Sequence, residues 1–369
     1  MPGSSHGKNW GTPPWTINFS SQKRPIPKEV DFAVVGGGFS GLSAASWLRR
    51  FDPSKSVALF EAGRVGAGSS GQTGGLTLAE TAAGDVPGLG DVLAGFSEIV
   101  KDLALDCDLS LPGVWELGRA DTLPDSPIAW TDSGELRAVR QVPGGTIDPG
   151  KLVSSLAQSA EALGARIFEN ATVQDIDFEG PLRLHVNGDV IVAGHILMAT
   201  NAMSLEMSDL TKRAQPKFTL ALATEPLAEV QIGALGLGSN KPFYTIDFPY
   251  LWGRLLRGGA VIFGSGLVYL NDWRELADVD VTTGQAAELM ARLESRVRGL
   301  HPVLNSVHFT HRWGGPILIA GQWKPVFGLH PRSPHIVVLG AYSGHGVALS
   351  VYLGRWAAEV LLGRRKPLG

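Results

Sequence analysis

Bare backbone marks the first place in this chain where chemistry could happen. In "DFAVVGGGFSGLSAASWLRRF", residues 31–51, glycines fall at Gly36, Gly38 and Gly41, between an apolar strand and a helix. That spacing in that setting is a dinucleotide fingerprint: Gly36 permits a tight turn, and Gly38 lets main chain approach a pyrophosphate. Gly41 lets the helix pack closely on the strand. Phe39 and Ser40 occupy the helix tip, whose N–H groups and partial positive charge suit phosphates. Glu61, twenty residues past Gly41 and followed by Ala62, ends the next strand. A carboxylate there can accept hydrogen bonds from a ribose diol. The bland alternative is an ordinary structural turn.

A second glycine-dense loop, "GRVGAGSSGQTGGLTL", sets Gly66, Gly68, Gly71, Gly74 and Gly75 around Ser69, Gln72 and Thr73. Such backbone can run close along a ligand beyond its diphosphate. A simple nicotinamide site has little use for that, so the loop points to a flavin. "GAYSGHGVALS", Gly340 to Ser350, is another strand-to-helix glycine turn. Its helix tip, with Gly344, His345, Gly346 and Val347, can face the pyrimidine end of an isoalloxazine and stabilise negative charge there. A nicotinamide-only dehydrogenase would leave this closing turn unexplained.

The elements that position these turns are legible from pattern. Val30 to Val35 reads as a strand, Phe39 to Arg50 as a helix and Ser56 to Ala62 as a second strand. Strand, helix and strand in so short a span imply a right-handed parallel crossover. "VLAGFSEIVKDLAL" has helical periodicity. "DPGKLVSSLAQSAEALGARI" reads as a helix opened by Asp148 with Pro149 in its first turn and closed near Gly164. "RIFENATVQDIDF" reads as a strand pair, and Asn187-Gly188 signals a type I′ hairpin leading into the apolar strand "HILMATNA". Alternation in "KFTLALATEPL" and "GGAVIFGSGLVYL" predicts an antiparallel sheet, and "TTGQAAELMARLESRVRGL" a helix. Residues 1–28, rich in Pro, Ser and Gly, read as an arm extended over the body. There is no internal repeat.

Composition narrows the class. At 369 residues, with 44% hydrophobic and 18% charged residues, the chain suits two interleaved globular domains. A formal charge of -3 gives no electrostatic reason to expect nucleic acid or an anionic membrane as partner. One cysteine, Cys107, excludes an internal disulfide and fits a reducing, cytoplasmic setting. No histidine pair has metal-ligand spacing with an acid nearby, so no metal is expected. "GSS" at 68–70 lacks the buried strand that a nucleophile elbow requires. No run of about 18 apolar residues predicts a membrane span.

Taken together, the chain resembles the D-amino-acid-oxidase-like flavoproteins, the branch with glycine oxidase, sarcosine oxidase and gamma-glutamylputrescine oxidase. The resemblance rests on "VVGGGFSGLSAASWL", "FEAGRVGAGSSGQTGG", "ENATVQDI", "HILMATNA", "RWGGP…KPVFG" and "GAYSGHGVALSVYLGRWAAEVLLG", in the family's order over about half the chain. It implies an α/β fold: a discontinuous Rossmann-like FAD-binding domain plus an α+β substrate domain with a mostly antiparallel sheet. The implied boundaries are 29–80, 146–210 and 320–369 for the first, and 81–145 and 211–319 for the second. It also implies that Gly36, Gly38 and Gly41 meet the FAD diphosphate, Glu61 the adenosine ribose and Val173 the adenine edge. Gly71, Gln72 and Thr73 would run beside the flavin, with Ala199, Thr200, Asn201 and Gly315 among its neighbours and Ser343 to Val347 at its pyrimidine end.

The implied activity is oxidation of a C–N bond in a small amine or amino acid, with hydride transfer to flavin N5 and oxygen or another acceptor taking the electrons. Such an amine must be neutral, and an apolar cleft lowers its pKa. "YTIDFPYLWGRLLRGG" supplies aromatic candidates, Tyr244, Phe248, Tyr250 and Trp252, and Arg254 or Arg257 as a carboxylate clamp. The alternative is a well-packed sheet edge with a solvated arginine. Tyr250, Trp252, Arg254 and His345 are the catalytic candidates, although His345 and His311 read more readily as structural.

Departures from the family matter. Ile262 stands where sarcosine-oxidase-like members place a lysine beside the flavin, and Ala348 where they place a basic residue. No cysteine lies near "HRWGGPIL", which implies noncovalent FAD. Two other readings stay open: a dehydrogenase passing electrons to a quinone or carrier, and a flavin-bound binding module without turnover.

Overall fold

Val30, Phe32, Ala33, Val34 and Val35 are all buried, so the strand Glu29–Val35 has no solvent face. A strand hidden on both sides belongs in the middle of a parallel sheet. The computed structural model, which describes residues 9–368, places it there. It lies between Val57–Phe60 and the second half of Asp189–Met198, parallel to both. The order across this sheet is Val326–His330, Ser333–Gly340, Asp189–Met198, Glu29–Val35, Val57–Phe60, Arg166–Phe168. Val35 stands opposite both Phe60 and Met198, and Met198 opposite Val338. The carboxyl ends of these strands therefore share one edge, from which Gly36, Glu61, Ala199 and Ala341 emerge.

One face of the sheet carries helices Phe39–Phe51, Pro149–Ala162 and Gly346–Leu361, with Val34, Leu42, Leu48, Leu156 and Leu353 in their common core. The first and last helices touch closely enough for Ser43 Oγ to donate to the Val351 carbonyl at 2.7 Å. Gly41 makes the first helix fit its strand: a Cβ there would lie 2.0 Å from the Gly36 carbonyl oxygen and 3.1 Å from Val34 Cγ1.

The other face shares a core with a second sheet. Its strands run Phe309–Ala320, Ala214–Thr224, Val261–Tyr269, Trp252–Leu255, Phe243–Thr245, Val114–Gly118, Glu135–Val142 and Ala129–Thr131. Every neighbouring pair is antiparallel except Phe243–Thr245 with Val114–Gly118. Helix Gly284–Leu300 buries Met290, Leu293 and Val297 against it. The expected α/β class, with a mixed sheet built on a parallel centre and a mostly antiparallel second sheet, is what the chain adopts.

Local expectations hold at the hairpin, where Asn187 (φ 50°) and Gly188 (φ 95°) join antiparallel Arg183–Val186 and Asp189–Met198. They hold too at the helix whose N-cap Asp148 accepts from the Lys151 N–H. One expectation fails. Arg166–Phe168 and Val173–Asp177 do not pair with each other: the first lies along Val57–Phe60 and the second along Arg183–Val186. Asn170, at φ 54°, turns the chain between them; the first strand meets a partner distant in sequence and the second pairs with the strand that follows it. Helix Val92–Asp102 buries Val92, Phe96 and Ile99 in the core beneath the closing helix.

The arm is strapped rather than draped, although its first eight residues lie outside the described region. Trp10 is buried; its Nε1–H donates to the Leu276 carbonyl, and its own carbonyl accepts from Gly314 N–H. Further on, Asn18 N–H donates to Ser154 Oγ and Ser21 N–H to the Glu169 carboxylate, so the arm touches both halves of the fold. Among the described residues no helix is long and apolar enough to cross a membrane.

Replacing Gly41 by valine is expected to lower stability by about 1–3 kcal/mol, because helix and strand must part to admit the side chain. Urea unfolding measures this. An unchanged midpoint would mean that the contact with Gly36 is not tight in solution.

Candidate cofactor and active site

The shared strand edge opens into a cavity of about 910 Å³ between the two sheets. Ligands of open α/β sheets sit at this edge. Gly36 turns there with φ 108°, a conformation costly for any side chain, and a Cβ would also strike the Ala199 carbonyl at 2.6 Å. The carboxylate of Glu61 fixes the turn by accepting from Gly37 N–H at 2.7 Å and Gly63 N–H at 2.9 Å. Ser70 Oγ accepts from Phe39 N–H at 3.0 Å, so the second glycine loop caps the first helix.

Hydrogen bonds between distant segments hold the cavity's shape. Asn201 donates through Nδ2 to Ser69 Oγ at 3.1 Å and accepts through Oδ1 from Ala341 N–H at 3.0 Å. Ser69 in turn donates to the Pro316 carbonyl at 2.7 Å. The Ser40 and Tyr342 hydroxyls share a hydrogen bond that ties the first helix to the closing turn. Burial pushes the Tyr342 phenol well above its ordinary pKa, so it stays protonated.

Three carbonyls of the second loop are held by side chains far away in sequence. Trp15 donates to Gly71 O at 2.7 Å, Trp313 to Gln72 O at 3.0 Å and Arg254 Nε to Gly74 O at 2.6 Å. At about 1 kcal/mol net each, such bonds fix a loop that has little side-chain packing of its own. The Trp252 ring passes between Gly74 and Gly264, where a Cβ on either would lie 2.0 Å from it.

On the second sheet's side, Tyr250, Trp252, Trp313, Thr219 and Ser265 face the cavity, with Phe248 at its rim. Phe248 is 82% exposed, an unusual position for a phenylalanine. Its loop, residues 246–250, is clamped from behind. Buried Asp132 pairs with Arg119 at 3.0 Å and Arg296 at 2.6 Å. Arg296 reaches on to the Pro249 carbonyl at 2.7 Å and the Tyr250 carbonyl at 3.1 Å, while Arg119 holds Asp247 at 3.3 Å.

Most of the expected residues meet on this wall. They are Gly36, Gly38, Phe39, Ser40, Glu61, Ala62, Gly68, Ser69, Gln72, Thr73, Gly74, Val173, Ala199, Thr200, Asn201, Tyr250, Trp252, Gly315, Gly344, His345, Gly346 and Val347. Other expected residues lie elsewhere. Gly41 packs on Gly36, Gly71 on the Gly66 carbonyl and Gly75 on the Ile147 carbonyl. Arg254 is buried behind the wall holding Gly74, with burial pushing its guanidinium down to about 10. Arg257 points outward to Asp108 at 3.0 Å. Neither arginine stands free as a carboxylate clamp.

Tyr244 also turns from the wall and donates to Glu116. Ile262 is buried against Ala221, Ala223 and Trp313, and Ala348 lies in the helical core. His345 caps the closing helix, and burial holds its pKa below the ordinary value. Cys107 is buried off the wall, its thiol pushed up to about 11 by burial.

Sequence reasoning passed over Ser70, Trp15, Trp313, Tyr342 and the Asp132 clamp. Only Ser70 had a local signal, as a small hydroxyl beside glycines already singled out.

A dinucleotide fits these features. The backbone turn at Gly36–Gly38 admits no side chain, and among the described residues Gln72 Oε1 and Thr200 Oγ1 are buried at the wall without a hydrogen-bond partner. Comparison with known proteins agrees. The family model for FAD dependent oxidoreductases matches residues 31–360. Gamma-glutamylputrescine oxidoreductase of Escherichia coli is 27% identical over 90% of this chain and 84% of its own. Among solved structures, L-proline dehydrogenase from P. horikoshii superposes with a TM-score of 0.73 and glycine oxidase from Geobacillus kaustophilus with 0.71. Each is 17% identical and covers 92% of this chain and 96% of the solved one, a likeness of fold.

Replacing Asp132 by alanine leaves two arginines facing each other without their anion. The expected result is a loss of about 3 kcal/mol and faster proteolytic cleavage within residues 246–250. Cleavage at the wild-type rate would show that the clamp does not hold the loop.

Proposed function

The chain belongs to the FAD dependent oxidoreductase family, and we propose that it oxidises the C–N bond of a small amine or amino acid. The observation that carries this reading is the continuity of one cavity from the Gly36–Gly38 turn to an aromatic chamber of Tyr250, Trp252 and Trp313. The named relatives support it: one acts on a putrescine derivative, and two solved neighbours are named for glycine and proline.

In this reading the Gly38 amide and the tip of helix Phe39–Phe51 hold the diphosphate, Glu61 the adenosine ribose and Val173 the adenine edge. Gln72 and Thr73 flank the flavin, and the tip of helix Gly346–Leu361 faces its pyrimidine end. Residues 29–80, 146–210 and 320–369 form the cofactor-binding part, and residues 81–145 and 211–319 the substrate part. FAD is held noncovalently. When bound, it supplies the redox chemistry by accepting a hydride equivalent at N5 from the carbon that bears nitrogen.

The chain's own groups prepare the substrate. Tyr250, Trp252 and Trp313 exclude water, and an apolar wall favours the neutral amine, the form that can be oxidised. His345, held neutral by burial, keeps the closing turn free of positive charge on its side chain. Ile262 in its apolar cluster favours a second reading for the acceptor, a quinone or protein carrier in place of oxygen.

Purified protein is expected to be yellow, to release free FAD on acid precipitation, and to bleach when a reducing amine is added without air. Colourless protein that takes up no added FAD would end this proposal. Bleaching that persists in air without peroxide would select the dehydrogenase form.

A further inference from the structure

We infer that the carbon oxidised in this cavity carries no carboxylate, so that the substrate is an amine rather than an α-amino acid. This rests on the C–N oxidation reading above and narrows it. The argument is a census of charge. Among the described wall residues only Arg274 and His345 are basic. Arg274 is paired with Glu206 at 2.7 Å and Asp272 at 2.8 Å. Burial favours the neutral form of His345.

The arginines behind the aromatic chamber are equally engaged. Arg254 serves the Gly74 carbonyl from a buried position, Arg257 faces outward to Asp108, and Arg296 is held by Asp132. None of the three is on the cavity wall.

The nearby anion has the wrong sign for a carboxylate. Glu116 lies inside, its side chain 6% exposed, and accepts the Tyr244 hydroxyl at 2.5 Å. Its partner Arg140 is 63% exposed, so that cation lies on the solvent side. Tyr244 and Tyr250 rings lie 6.2 Å apart, which puts this buried anion behind the tyrosine that faces the cavity. A carboxylate entering the chamber would lose its water, find no free cation and face the acid end of the Glu116–Arg140 pair. An uncharged substituent on the same carbon pays a much smaller desolvation cost and needs no counter-cation.

The test compares an N-methyl amino acid, its carboxamide and the matching N-methyl alkylamine, with each rate divided by that compound's neutral-amine fraction at the assay pH. Each is mixed with the FAD-loaded enzyme without air, and flavin bleaching is followed. The amine and the carboxamide are expected to reduce the flavin with a second-order rate constant at least about a hundredfold above that of the acid. Binding is measured separately, by calorimetric titration with propionamide and propionate, which cannot be oxidised in this way. Propionamide is expected to bind at least tenfold more tightly.

An acid that reduces the flavin as fast as its carboxamide would overturn the inference and leave C–N oxidation standing. If no compound bleaches the flavin, the C–N reading fails, and propionate binding as tightly as propionamide would overturn the charge argument as well. Glu116→Gln keeps an acceptor for Tyr244 and removes the charge. It should narrow the carboxamide-to-acid ratio about tenfold, and an unchanged ratio would remove Glu116 from the account.

Discussion

One constraint organises the proposed cofactor site: the main chain of the Gly36–Gly38 turn is closely packed and carries no side chains that could hold it in place. The turn at Gly36–Gly38 is therefore held from outside. Glu61 takes the Gly37 N–H, the Ala199 carbonyl closes the space above Gly36, and Ser70 caps the helix that follows. These three supports come from three separate segments, which the parallel register of Val35 with Phe60 and Met198 delivers to one edge.

The same logic extends along the cavity. The loop at residues 71–74 contains few groups able to pack, and its carbonyls are gripped by Trp15, Trp313 and Arg254. Glycine in the loop also makes room for the tryptophan that forms the next wall. Residues that look like chemistry in the sequence can thus be structural in the fold. Arg254 has the charge to bind an anion, yet its position behind Gly74 makes it a positioning residue. Ser69 and Asn201, which look like ordinary loop residues, join the second loop to the closing turn.

Legibility followed the range of the interactions. The strand–turn–helix at residues 29–51 and the hairpin at Asn187-Gly188 are set by local periodicity and turn geometry, so sequence reveals them. The family's glycine blocks pointed to the glycine-rich part of the cavity wall for the same reason. What stayed hidden depends on partners more than fifty residues away: the Trp15 bond to Gly71, the Asp132–Arg296 clamp, and the pairing of Arg166–Phe168 with Val57–Phe60. No local pattern encodes which distant carbonyl an indole N–H will meet.

Electron density from crystals of the cofactor-loaded protein tests the central claim most directly. The account predicts one continuous FAD, its adenine beside Val173, its diphosphate at the Gly38 amide and the first helix tip, and its ring system between Gln72 and the Gly344 turn. A flavin bound with its phosphates away from the first helix tip, or with the closing turn out of reach, would contradict it.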